Sequence, residues 1–253
     1  MAFITGASSG IGAGVARELH RRGWAVGLIA RREDRLAELA AELGQRVSYA
    51  VADVGQADEV TAAVGSLEAA LGPCHLMLAN AGIGDARNSR DFSVSAVKKV
   101  LNVNVEGVIH AIGAVLPGMV ERNTGAIAVT SSVAGYLPVP NFGPYCASKA
   151  YVSALMEAMR LDLRRTPISV TTIHPGYVVS ELTDQNAFYM PFLMSTERAA
   201  RIIVDGLERG RAEINFPWQM VALVKMARWI PKWIFDPVIT RFAPVKPKQK
   251  ELA

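Results

Sequence analysis

Tyr145-Cys146-Ala147-Ser148-Lys149 sets a phenol and an amine four residues apart. On a helix that spacing puts both side chains on one face. A free phenol has a pKa of about 10, so at neutral pH it exchanges protons poorly until a nearby cation stabilises its phenolate. Lys149 can supply that cation. The pair is therefore a candidate proton-transfer centre, although chance also produces the spacing on ordinary half-exposed helices. Cys146 reads as a small buried helix residue, because no base is placed to activate its thiol. What the pair can do depends on the elements that hold it.

Those elements alternate. Short apolar runs at Ala2–Thr5, Trp24–Ala30, Val47–Val51, Leu76–Ala79, Ala126–Thr130, Ser169–Ile173 and Glu213–Phe216 read as strands. Amphipathic segments at Ile11–Arg22, Arg32–Leu43, Ala57–Leu71, Val94–Arg122, Tyr145–Arg164 and Thr196–Arg209 read as helices. The alternation predicts an α/β fold, a three-layer doubly wound Rossmann arrangement with a seven-stranded parallel sheet in the order 3-2-1-4-5-6-7. No linker or repeat divides the series. The expectation is one domain over residues 1–217, with a substrate lid at 180–197 and an extension of the same domain over 218–253.

Thr5-Gly6-Ala7-Ser8-Ser9-Gly10-Ile11-Gly12 falls where the first strand turns into the first helix. Glycines at such a turn let the backbone approach a pyrophosphate, and the helix N-terminus offers unpaired N–H donors with a favourable dipole. The spacing is not that of the Walker loop, and no Gly-Lys-Ser/Thr follows, which disfavours nucleotide hydrolysis.

The turn matches the T-G-x-x-x-G-x-G pattern of the short-chain dehydrogenase/reductase family. Asn80-Ala81-Gly82, Asn104, Ser132, Tyr145-x-x-x-Lys149 and Pro175-Gly176 follow in that family's order, with the family's usual thirteen residues between Ser132 and Tyr145. From Ala2 to about Phe216 the chain resembles this family. The resemblance implies that Tyr145 is the acid/base for a carbonyl/alcohol pair and that Lys149 lowers its pKa and binds the nicotinamide ribose. It implies that Ser132 donates to the substrate oxygen and that Asn104 holds a water leading to Lys149. Ser131 competes with Ser132 and Asn102 with Asn104; the thirteen-residue spacing and the Asn-x-x-Gly match favour Ser132 and Asn104.

The same resemblance assigns cofactor contacts to Gly6, Ser8, Ser9, Gly10, Ile11 and Gly12. It adds Asp53 and Val54 at the adenine, Asn80, Ala81 and Gly82 along the cofactor, and Pro175, Gly176 and Val178 over the nicotinamide. At the end of the second strand, NAD enzymes usually carry an acidic residue for the ribose 2′-hydroxyl. Here Arg31 and Arg32 stand there, which suits a 2′-phosphate and favours NADP(H) over NAD(H), with Arg31 the principal ligand.

Asn186–Met194 is almost wholly apolar. With Tyr177, its residues Phe188 and Phe192 are the candidate substrate wall, and they suggest a lipophilic carbonyl compound or alcohol. Beyond Phe216, Trp218, Trp229 and Trp233 crowd an apolar stretch in which Lys225, Arg228 and Lys232 fall within an arc of about 60° on a helical wheel, with Pro231 as an interruption. Residues 218–242 thus suit contact with a membrane surface, cover for the active-site mouth, or an oligomer interface.

Composition closes off other classes. A net charge of +4 spread along 253 residues gives no phosphate-tracking patch, so nucleic acid is not an expected partner. Four histidines scattered without ligand spacing, and two cysteines, offer no metal site. No charged leader is visible, and the apolar stretches are too short or too broken to read as a spanning helix, so the expectation is a cytoplasmic protein. The family suggests a homodimer or homotetramer through the helices at Val94–Arg122 and Tyr145–Arg164. Two other activities stay open: an NADP(H)-binding sensor with little turnover, and chemistry on a carbon–carbon double bond.

Overall fold

The computed structural model describes residues 1–184 and 189–241. Seven parallel strands form one sheet in the order β3-β2-β1-β4-β5-β6-β7. They are β1 Ala2–Thr5, β2 Val26–Ala30, β3 Val47–Val51, β4 Leu76–Ala79, β5 Gly125–Thr130, β6 Ile168–Pro175 and β7 Glu213–Phe216. Side chains alternate faces along each strand, and both faces are covered. Ile4, Leu28 and Leu78 lie in one core with residues of α1 (Gly10–Arg21), α2 (Glu33–Leu43) and α8 (Thr196–Glu208). Phe3, Ile29 and Met77 lie in the other, against α3 (Ala57–Leu71), α5 (Gly107–Glu121) and α6 (Gly143–Asp162). The architecture and strand order are those the alternation of elements predicts.

One departure bears on function. The segment expected as one helix from Val94 is α4 (Val94–Leu101), a π-helical turn over Asn102–Glu106, and then α5. Taken together, Val94–Glu121 is long and apolar enough to cross a bilayer, contrary to the expectation that no stretch is. Helical structure continues through Gly107, Gly113 and Pro117. Val100, Val108, Ala111, Val115 and Met119 are buried in the core of this domain.

The tail is helical and interrupted at Pro231, as the sequence predicts. After β7 the chain forms α9 (Trp218–Ala227) and α10 (Lys232–Arg241), separated at Pro231, whose carbonyl accepts the first amide bonds of α10. Met220 and Val221 anchor α9, whereas α10 has no buried residue.

Candidate active site

The strand ends β1, β4 and β5 and the helix starts α1 and α6 converge on one cavity of about 630 Å³. The turn into α1 forms its floor. A Cβ on Gly12 would lie 2.3 Å from the Gly6 carbonyl oxygen, so the helix can enter this closely only without a side chain there. Gly6 and Gly10 both adopt positive φ. The first turn of α1 contains no acidic residue and Ser9 makes no side-chain cap, which leaves the helix N-terminus suited to an anion.

A lateral hydrogen-bond chain crosses the strand ends. The Asn80 amide group donates to the Thr5 carbonyl at 3.2 Å, and the Thr130 hydroxyl donates to Asn80 Oδ1 at 3.1 Å. Lys149 Nζ then donates to the Thr130 carbonyl at 2.8 Å. The ammonium is held from the sheet side, 5.8 Å from the centroid of the Tyr145 ring. Burial pulls the Lys149 pKa down to about 8. Burial also raises the Tyr145 phenol above its ordinary value, while a hydrogen bond with Ser132 lowers it. The predicted pair is thus one assembly, and Ser132 is part of it.

Ser131, the rival serine, is spent elsewhere. Its hydroxyl donates to the Lys149 carbonyl at 2.8 Å and meets Ser153 Oγ at the same distance. Asn104 sits in the π-helical turn, completely buried. Its side chain receives the Ile83 N–H at 2.8 Å, donates to the Ile83 carbonyl at 2.9 Å and donates to Ser148 Oγ at 3.0 Å. Asn104 Oδ1 and Lys149 Nζ approach the same side of Gly82, 3.4 and 3.3 Å from where its Cβ would stand. Asn102 is outside this arrangement, its amide lying against Gly55.

The two arginines after β2 divide. Arg32 donates to Ser8 Oγ at 3.0 Å and Ser9 Oγ at 2.9 Å, and it pairs with Glu181 at 2.8 Å. Arg31 extends toward Asp53, 3.7 Å away. Arg32 rather than Arg31 is therefore the cation on the phosphate turn. Glu181, which the sequence reading did not single out, also accepts from Ser9 Oγ at 3.2 Å. Asp53 accepts the Gly55 N–H at 3.0 Å, and with Val54, Ala81, Gly82, Pro175, Gly176 and Val178 it lines the cavity.

The expected substrate wall is placed differently. Phe188 lies outside the described residues. Tyr177 and Phe192 do not line the cavity, whereas Ile83, Leu182 and Thr183 do. Tyr177 stays close enough to Tyr145 to raise its pKa slightly. Phe192 is left half exposed because the chain turns back there at positive φ to pair Met194 with Val178. Polar groups absent from the sequence reading, the Asp85–Arg87 ion pair and Lys99, also border the cavity. Cys146 is buried, and burial raises its thiol pKa.

A family model described as short chain dehydrogenase matches residues 1–188. The chain belongs to the short-chain dehydrogenase family. This short-chain dehydrogenase is 41% identical over 243 residues to an uncharacterized oxidoreductase of Myxococcus xanthus, covering 95% of this chain and 96% of that protein. It is similar to a short chain dehydrogenase/reductase from Burkholderia phymatum in complex with NAD, with a TM-score of 0.83, 25% identity, and coverage of 97% and 96%. It is also similar to a closed form of serine dehydrogenase complexed with NADP+, with a TM-score of 0.74, 30% identity, and coverage of 81% and 88%. The dehydrogenase is thus an oxidoreductase whose structural relatives hold nicotinamide dinucleotides.

Proposed function

We propose that the protein is an NADP(H)-dependent oxidoreductase that interconverts a carbonyl and an alcohol, with Tyr145 as acid/base and a lipophilic substrate. The observation that carries this reading is the buried Lys149 ammonium beside Tyr145, a costly arrangement for a charge unless it stabilises a phenolate. The chain's own groups fit the cofactor: the turn from Gly6 to Ile11 lines the cavity at the α1 N-terminus, which suits a pyrophosphate, and Arg32 with Ser8 and Ser9 suits a 2′-phosphate. When bound, the nicotinamide supplies or accepts the hydride.

In carbonyl reduction, Tyr145 gives its phenolic proton to the substrate oxygen. Ser132 donates a hydrogen bond to the same oxygen and favours the charge that develops there. Lys149 stabilises the phenolate left behind, and the Thr130 carbonyl holds the ammonium in place. Asn104 ties the Ile83 backbone to the Ser148 hydroxyl of α6 beside it. In alcohol oxidation the Tyr145 phenolate takes the alcohol proton.

Ile83 and Leu182 on the cavity wall support an apolar substrate. We also propose a homodimer or homotetramer through the helices within Val94–Arg122 and Tyr145–Arg164, where Ile109, Val120, Tyr151 and Leu161 are exposed. NADPH consumption across a carbonyl panel tests the assignment. Alkyl and aryl ketones or aldehydes should turn over; a preference for charged sugars or hydroxy acids would overturn the substrate class.

A further inference from the structure

Trp218, Trp229 and Trp233 are 73%, 89% and 77% exposed. Tryptophan is among the side chains most strongly withdrawn from water in folded domains, so three exposed together need an explanation. Leu223, Met226, Ile230, Ile234 and Val238, on α9, α10 and their connection, are also exposed. Exposed apolar side chains this dense along one short stretch mark an interaction face.

Charge tells what the face meets. The described residues of α9, α10 and their connection carry Lys225, Arg228, Lys232 and Arg241 against the single carboxylate of Asp236. Lys225 is held by Glu213 at 3.5 Å and lies 4.8 Å over the Tyr136 ring. Among the described residues no carboxylate pairs with Arg228, Lys232 or Arg241. Two copies of this face brought together by a twofold axis would oppose cations to cations. An anionic bilayer surface instead offers each part of the face what it lacks: headgroup charge for the cations, and an interfacial zone in which indoles bury their rings and keep their N–H hydrated.

We propose that α9 and α10 form a docking surface for an anionic phospholipid membrane, holding the protein peripherally. The surface is fixed beside the active site. Met220 packs where a Gly176 side chain would go, the Gly176 N–H donates to the Phe216 carbonyl at 2.7 Å, and Lys225 covers Tyr136, which ends the turn that Ser132 begins. Membrane binding stands whether or not the catalytic proposal does.

Co-sedimentation of the full chain tests it, using phosphatidylcholine vesicles with and without phosphatidylglycerol. Binding should be at least about tenfold stronger with phosphatidylglycerol and should weaken as salt rises. Trp229→Ala with Trp233→Ala should reduce partitioning by about tenfold or more, and Arg228→Glu with Lys232→Glu should remove the preference for the anionic lipid. Both variants should keep the wild-type Tm and NADPH affinity, which separates lost docking from lost folding. Absence of wild-type binding to phosphatidylglycerol vesicles, or equal partitioning of wild type and both variants, overturns the proposal. So does a concentration-dependent dimer that the tryptophan variant dissolves in the absence of vesicle binding.

Discussion

The phosphate turn and the C-terminal helices use their residues in opposite ways. At Thr5–Gly12 the side chains are small, two glycines take positive φ, and the hydroxyls of Ser8 and Ser9 are already bonded to Arg32. At Trp218–Arg241 three of the largest side chains stand in solvent, and most of the cations have no carboxylate partner among the described residues. The turn is specified by the domain's own contacts, so a single added methyl group should damage it. The tail meets the domain through Met220, Val221 and Lys225, so its outer face is free to change without disturbing the fold. The site's chemistry and the protein's placement are therefore separable by mutation.

Lys149→Met should produce the largest effect. Turnover should fall by at least ~10²-fold, because the phenolate loses its cation. The same change removes a buried charge whose pKa is depressed, so Lys149 in wild type opposes folding below pH 8 and opposes it less as pH rises through the folded value. The variant should be more stable at neutral pH by ~1–3 kcal/mol in denaturant unfolding. Lower activity with lower stability would mean that Lys149 is a structural residue.

Arg32→Ala should weaken NADPH binding by about 10- to 100-fold in fluorescence titration, with NADH much less affected. Arg31→Ala should have the smaller effect, since Arg31 leans on Asp53 instead of the serines. The reverse ranking would restore Arg31 as the principal ligand. At pH 9 the rate of carbonyl reduction should fall to roughly a tenth of its neutral value as the Lys149 ammonium, with a pKa of about 8, is lost. A rate flat to pH 10 would remove Lys149 from the proton chemistry. The smallest effect belongs to the tail: Trp229→Ala and Trp233→Ala should leave turnover of a water-soluble carbonyl within about twofold and stability within ~0.5 kcal/mol.

Much of this was legible in the residues. Alternating apolar strands and periodic helices are local patterns, and they predict the layers and the strand order. Tyr145, Lys149, Ser132 and the Gly6–Gly12 turn are recognisable because their spacing is rigid in a helix or a tight turn. Side-chain reach is not written in spacing. Arg31 and Arg32 are adjacent and chemically identical, and only the positions of Ser8, Ser9 and Asp53 in space divide them. Thr130 shows no motif, yet its carbonyl holds Lys149 because β5 and α6 meet there. The π-helical turn at Asn104 breaks a helix whose composition gives no sign of a break. The apolar neighbours of Phe192 suggest a substrate wall, whereas Phe192, at positive φ, is not among the residues that line the cavity.

The most direct test is single-turnover reduction of a ketone or aldehyde by NADPH in wild type and Tyr145→Phe. Removing only the phenolic oxygen should slow the chemical step by at least ~10²-fold while the NADPH Kd stays within about twofold. Equal rates in the two proteins, or tight NADPH binding without turnover of any carbonyl by wild type, would contradict the assignment of Tyr145 as the proton donor.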